Sequence, residues 1–186
     1  AVGGASDNAA WRSAPLPRDA RERRRFVFAL NERLKRLTRA ERERAVADLA
    51  AAARPVAPFP DDLFLDWDGA RELAARGFEI GSHTLAHPIL ANETPDAQLR
   101  ERAESRRELE DRLGVRVAIL AYPNGTTRDY DHRTVAAAVA AGYSHAVTTV
   151  WGWNGPGTPH YEIRRMLVSP HKGAEGLARA LASGLP

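Results

Sequence analysis

Two histidines four residues apart, in Ser82-His83-Thr84-Leu85-Ala86-His87-Pro88, are the residues best suited to chemistry in this sequence. Spacing of that kind can bring two neutral imidazole nitrogens to one divalent cation, and Zn²⁺ is the commonest choice for imidazole-rich sites. Two imidazoles are a partial donor set, because a catalytic zinc takes a third protein ligand and keeps one position for water. The same spacing also fits a histidine ending a strand and a second one packed in a loop. A zincin-type protease is excluded, since its base is a Glu directly after the first His and Thr84 stands there. A nucleophile elbow is excluded as well, because Gly81-Ser82-His83-Thr84-Leu85 lacks the second glycine. With no cysteine in the chain, disulfide frameworks, thiol nucleophiles and cysteine zinc sites are ruled out together.

A second constellation is Ala121-Tyr122-Pro123-Asn124-Gly125. Proline followed by Asn-Gly forces a tight turn, and the turn can present a backbone N–H to a developing oxyanion or serve simply as a connection.

These segments need elements that carry them to one place. The apolar residues Phe26, Leu30, Leu34 and Leu37 recur on one helical face, so a helix is expected from Pro17 to about Leu37. Thr38 with Glu41 has capping-box spacing and opens a second helix bearing Val46, Leu49 and Ala53, which predicts an Arg-rich helical hairpin. Three prolines between Arg54 and Pro60 end it in a rigid connector. The pattern then alternates. Asp66 caps a helix through Leu73 to Arg76 that Gly77 ends, and Phe78 to His83 reads as a strand. Thr94-Pro95 opens a helix with Leu99, Ala103, Leu109 and Leu113 that closes at Gly114, and Val115 to Tyr122 is the next strand. Asp131 caps an alanine-rich helix to Gly142; strands at Tyr143 to Val150 and Ile163 to Val168 and a helix from Ala174 to Ala182 complete the chain.

Strands alternating with helices imply parallel pairing and an α/β class, here a partial, distorted (β/α) barrel preceded by the helical hairpin. The expected division is residues 1–60 and 61–186. In such folds ligands bind at the carboxyl ends of strands, which gathers His83 to His87, Tyr122 to Gly125, Thr148 to Trp153 and Val168 to His171.

Glu79 to Pro88, then a charged helix, then Leu120 to Gly125, then Ala141-Gly142-Tyr143 and Ala146-Val147-Thr148-Thr149, in that order, resemble the polysaccharide deacetylases of the NodB-homology group, carbohydrate esterase family four. The resemblance covers about residues 60 to 168. It implies a hydrolase that removes N- or O-linked acetyl groups from an acetylated carbohydrate polymer, with a divalent metal, Zn²⁺ first among them, as cofactor. By motif position His83 and His87 match the family's metal-binding histidines, and the backbone N–H near Asn124 matches its oxyanion donor. The family's third ligand and its general base are adjacent Asp residues on an earlier strand. Asp61-Asp62 is the only Asp pair here and has no strand before it, so those roles are expected on strands before Ala1. Ala121 stands where the family commonly has an Arg, and Asn124 where it commonly has an aromatic residue. For the general acid, His171 in Leu167-Val168-Ser169-Pro170-His171 is the candidate, with His160 behind it; His132 at a helix start and His145 in a strand have blander roles. Trp151, Trp153 and Tyr143 can stack on sugar rings or pack in core and loops. The alternative of another class is a non-catalytic carbohydrate-binding or interaction module that keeps the fold.

Composition sets outer limits. Of 27 basic residues 25 are Arg, and the 12 between Arg12 and Arg44 are interrupted by Asp19, Glu22, Glu32, Glu41 and Glu43, so no nucleic-acid partner is expected. No apolar run is long enough for a membrane-spanning helix. The small residues Ala1 to Asn8 lack the charged and apolar regions of a signal peptide and read as the interior of a longer chain or a processed start.

Overall fold

The computed structural model describes residues 19–53, 63–167 and 173–183. The chain divides into two compact units, Ala1–Asp61 and Asp62–Pro186. The first contains α1 (Ala20–Leu34) and α2 (Arg39–Ala53). Asp19 caps α1, its carboxylate accepting from the N–H groups of Arg21 and Glu22 at 2.8 Å. The Thr38–Glu41 box forms as its spacing predicts: the Glu41 carboxylate accepts from the Thr38 N–H at 3.0 Å and the Thr38 hydroxyl at 2.9 Å. Those two bonds, the backbone one first, hold the Glu41 pKa below the usual carboxylate value. Phe26, Leu30, Leu34 and Leu37 are only half-buried, and no described residue of either helix is fully buried. The two expected helices are therefore present, but their apolar stripe does not form a core of its own. The proline connector falls outside the described residues, as does the segment Ala1 to Asn8.

The second unit contains α3 (Trp67–Ala75), a 3₁₀ turn at Leu90–Asn92, α4 (Pro95–Leu113), β1 (Ile119–Ala121), α5 (His132–Ala140), β2 (His145–Val147) and α6 (Gly173–Ser183). Caps set the boundaries. Asp66 accepts from Gly69 N–H at 2.7 Å, Thr94 accepts from Ala97 N–H at 3.3 Å, and Asp131 and Thr134 form a reciprocal capping box on α5. Gly114 ends α4 at φ 67°, a left-handed position that a residue with a Cβ resists.

β1 and β2 pair in parallel, Leu120 opposite Ala146. Ser82 bridges to Leu120 on one side and Ile163 to Val147 on the other, both in parallel. Four extended segments thus lie side by side in chain order, as alternation of strands and helices implies. The pairing is shorter than expected. The strand expected over Phe78 to His83 is reduced to the single bridge at Ser82, whose N–H donates to Ile119 O at 2.9 Å and whose carbonyl accepts from Ala121 N–H at 2.8 Å. The strand expected from Ile163 pairs with β2 at a single residue: Arg165 Nε donates to Thr148 O, the acceptor that the next rung would use, and Arg165 N–H donates to Val150 O instead. The Asn154 amide accepts from Arg164 N–H and donates to Arg164 O, each at 2.9 Å. Closure into a barrel is not seen among the described residues.

Leu90, Val117, Leu120, Tyr122, Ala138, Tyr143 and Ala146 make the core, with Leu109, Tyr130, Ala141 and Tyr161 packed on it. Burial of such side chains, about 1.5–3 kcal/mol each for the larger ones, supplies the driving force. Helix α4, which packs against α3 and α5, differs from expectation. Leu99 is exposed and Ala103 is too, whereas Gln98, Glu101, Arg102 and Ser105 are buried. Most of their polar atoms find partners, although Arg102 Nε is buried without one among the described residues. Gln98 Oε1 accepts from Thr134 Oγ1 at 2.9 Å and from Arg102 Nη2 at 3.1 Å, and the Tyr143 hydroxyl donates to Arg102 O at 2.9 Å. Burial lowers the Arg102 guanidinium to about 10, against the opposing pull of Tyr122 and Tyr143.

Candidate functional site

The site is assembled where the parallel segments end. Immediately after the Ser82 bridge, His83 lies beside the end of β1, and its Nδ1 is 2.8 Å from Ala121 O. A carbonyl only accepts, so Nδ1 carries the proton and Nε2 keeps its lone pair, the tautomer a cation ligand requires. His83 and His87 are both exposed. Their rings meet edge to face, with centroids 4.7 Å apart and planes at 78°.

The intervening backbone is bent sharply to achieve this. Thr84 has φ 68° and His87 φ 53°, a left-handed region that is costly for a branched residue such as threonine. Hydrogen bonds hold the bend. His87 N–H donates to Thr84 Oγ1 at 3.1 Å and Thr84 N–H to Ser82 Oγ at 3.3 Å. From α4, the Glu101 carboxylate accepts from Leu85 N–H at 3.0 Å and Ala86 N–H at 2.9 Å. Pro88, Ile89 and Leu90, all buried, anchor the far end of the loop.

The proline turn lies at the same edge. Tyr122 is buried, its ring stacks on Tyr130 at 4.8 Å, and its hydroxyl donates to Tyr161 O at 3.0 Å. Burial raises the Tyr122 pKa, which keeps the phenol protonated. Asn124 adopts φ 55° and Gly125 φ 69°. At Gly125 a Cβ would meet Thr149 N at 3.0 Å and Tyr122 O at 3.1 Å, so glycine allows the close approach of the next segment. Thr149 fastens the turn to the end of β2: its N–H donates to Gly125 O at 2.9 Å and its hydroxyl to Asn124 O at 2.5 Å. Among the described residues none accepts from the Asn124 N–H.

His83, His87 and Asn124 thus come to one edge. His160 does not. Its carbonyl accepts from Ala146 N–H at the start of β2, and its ring stacks on His145 with centroids 5.1 Å apart. That is the opposite end of the parallel array from His83, which removes His160 as an alternative proton donor there. His171 lies outside the described residues. His132 opens α5 and His145 opens β2, at a helix start and in a strand as expected. Tyr143 belongs to the core at 2% exposure and is unavailable for stacking on a ligand. Trp151 is half-buried and Trp153 exposed, beyond the end of β2.

The two imidazoles fit as part of a cation's donor set: both sit on one loop, their rings touch, and one has its tautomer fixed. No group of three or more His, Cys, Asp or Glu side chains able to hold a metal ion occurs among the described residues. Sequence reasoning missed Glu101 and Ser105. Their only signal was negative, in that α4 has too few apolar residues on the face its neighbours cover.

Comparison with known proteins gives concordant matches. The family model for polysaccharide deacetylase matches residues 26–146, beginning inside α1 rather than near residue 60. YxkH of Bacillus subtilis (strain 168), whose name places it among polysaccharide deacetylases, is 34% identical over 100 residues, which are 54% of this chain and 35% of YxkH. The Streptococcus pyogenes deacetylase PplD, solved in complex with acetate, is 26% identical with a TM-score of 0.60, over 68% of this chain and 53% of PplD. BC0361, a polysaccharide deacetylase from Bacillus cereus, is 25% identical with a TM-score of 0.58, over 65% of this chain and 38% of that protein. The chain therefore spans between about a third and a half of the length of these relatives.

Proposed function

The chain belongs to the polysaccharide deacetylase family, and from that premise we propose that it forms part of a metal-dependent hydrolase that removes N- or O-linked acetyl groups from a carbohydrate polymer. The observation that carries the reading is the edge contact of His83 and His87 at 4.7 Å, beside a proline turn tied to the same sheet edge.

His83, through Nε2, and His87 would hold a divalent cation, Zn²⁺ by preference for imidazole. Such a cation, when bound, lowers the pKa of water and polarises an acyl oxygen. The chain's own contribution is positional. Ala121 O keeps the His83 proton on Nδ1, and the Asn124 N–H, at a backbone position fixed by Thr149, donates to the oxyanion that develops as the acetyl carbonyl is attacked. His171 is the proposed donor of a proton to the leaving amine or alcohol. Trp153 offers an exposed ring for a sugar face. The third ligand and the general base are assigned to residues outside those described, as is completion of a (β/α) barrel around the parallel array.

A specific observation supports a second reading. The described donor set stops at two imidazoles, which is also what a carbohydrate-binding module retaining the deacetylase fold would have. Calorimetric titration with Zn²⁺ and hydrolysis of an acetylated chito-oligosaccharide separate the two. The 186-residue chain is expected to bind Zn²⁺ weakly and to hydrolyse little, with His83→Ala and His87→Ala each abolishing the binding. Hydrolysis that survives His83→Ala would refute the site assignment, and oligosaccharide binding without any Zn²⁺ affinity would favour the module.

A further inference from the structure

A carboxylate that is 6% exposed is costly to bury unless its oxygens are well satisfied. Glu101 meets that condition with backbone rather than with side chains alone: one oxygen, Oε2, takes both the Leu85 and the Ala86 N–H. These are two of the three residues between the histidines. One turn further along α4, Ser105 Oγ is 2.9 Å from Ser82 Oγ, and Ser82 Oγ accepts from Thr84 N–H. Residues four apart on a helix share a face, so one face of α4 grips the histidine loop at two points. Between those points lie the left-handed residue Thr84 and, just beyond them, the left-handed His87. A loop that holds strained backbone relaxes unless its surroundings over-determine it.

We infer that Glu101, assisted by Ser105, is a positioning residue that fixes the spacing and orientation of His83 and His87. The inference rests on the deacetylase reading for its chemical purpose, but the loop geometry it concerns is measurable without it. Loss of the Glu101 acceptor frees two partly buried N–H groups and lets Thr84 and His87 leave their left-handed conformations, which separates the imidazoles. An outer partner that orients a metal-binding side chain typically changes metal affinity by about 10- to 100-fold.

The test uses the full 186-residue chain and its Glu101→Ala, Glu101→Gln, Ser105→Ala and Arg100→Ala variants, the last at an exposed position of the same helix. Amide hydrogen exchange at Leu85 and Ala86, the Nδ1–H tautomer signal of His83 and Zn²⁺ affinity are measured for each. Glu101→Ala is expected to speed exchange of both amides by about tenfold or more and to weaken Zn²⁺ binding about 10- to 100-fold. Glu101→Gln keeps an accepting oxygen and is expected to stay within about threefold of wild type on both measures. Ser105→Ala is expected to release the Thr84 amide, and Arg100→Ala to change nothing. Unchanged exchange at Leu85 and Ala86 in Glu101→Ala, or an equal effect from Arg100→Ala, overturns the inference. Should Glu101→Ala fail to fold, protection kept by Glu101→Gln together with weaker binding in Ser105→Ala supports it, and unchanged binding in Ser105→Ala overturns it. If the wild-type chain binds no Zn²⁺ at all, the metal reading fails, while the exchange rates and the tautomer signal still decide the role of Glu101.

Discussion

Three non-glycine residues adopt left-handed backbone in the described chain, Thr84, His87 and Asn124, and all three stand at the edge where the parallel segments end. Strain of about 1–3 kcal/mol at each such position persists only where neighbours enforce it. Neighbouring hydrogen bonds explain how. The Tyr122 hydroxyl, for example, ties the residue before the proline turn to Tyr161 O. Tyr122→Phe leaves that carbonyl without its donor and is expected to cost about 1–3 kcal/mol in urea-induced unfolding, with the proline turn loosened. At this scale the sequence was partly legible. His83 and His87 announce themselves by spacing and by the motif order around them. Glu101 does not, because its partners are backbone N–H groups that carry no side-chain signature. For Tyr143 the sequence leaves sugar stacking and core packing open, and the structure takes the second: its hydroxyl reaches the Arg102 carbonyl and the ring lies in the core.

Among the elements, helix ends were the most legible feature, since a cap is a local contract between residues two or three apart. Asp66, Thr94 and Asp131 all cap the helices their positions suggest. Asp131 also has an acid signature. Partial burial alone would raise its pKa, but hydrogen bonds from Arg133 and from the Thr134 N–H and hydroxyl outweigh this and hold it at about 2, against an ordinary 3.8. A carboxyl depressed in the folded state adds stability that is present above its unfolded value and is lost as pH falls through the folded one. Wild-type stability is therefore expected to fall between about pH 4 and pH 2 more steeply than that of Asp131→Asn, as followed by thermal melts across that range. At neutral pH, Asp131→Ala is expected to cost about 1 kcal/mol through loss of the cap. Strand lengths were legible only as locations. The sequence pattern marks where a segment crosses the sheet, but pairing also needs a free neighbour, and after Ile163 the Arg165 side chain takes the Thr148 carbonyl while the Asn154 amide bonds both backbone groups of Arg164. The buried face of α4 was illegible for a related reason: Gln98 and Arg102 are polar residues whose partners, Thr134 and Tyr143, come from distant parts of the chain.

For the molecule as a whole, stability resides in the Asp62–Pro186 unit, where the core cluster lies. Leu120, at 0% exposure in the middle of β1, touches the centre of that cluster. Leu120→Ala is expected to destabilise the unit by about 2–5 kcal/mol in denaturant titrations, with the helical content of Ala1–Asp61 less affected because no described residue there is fully buried. The ion pairs add little to this, since those such as Arg39–Glu43 and Arg76–Glu72 are exposed. The α/β class and the direction of strand pairing were legible from alternation alone. One arrangement governs how such a molecule comes into being. Each extended segment, from Ser82 through β1 and β2 to Ile163, takes the next one along the chain as its neighbour. A polypeptide leaving the ribosome amino end first can therefore add each rung to the one already laid, never holding an unfinished edge open for a partner that has yet to be synthesised several elements later.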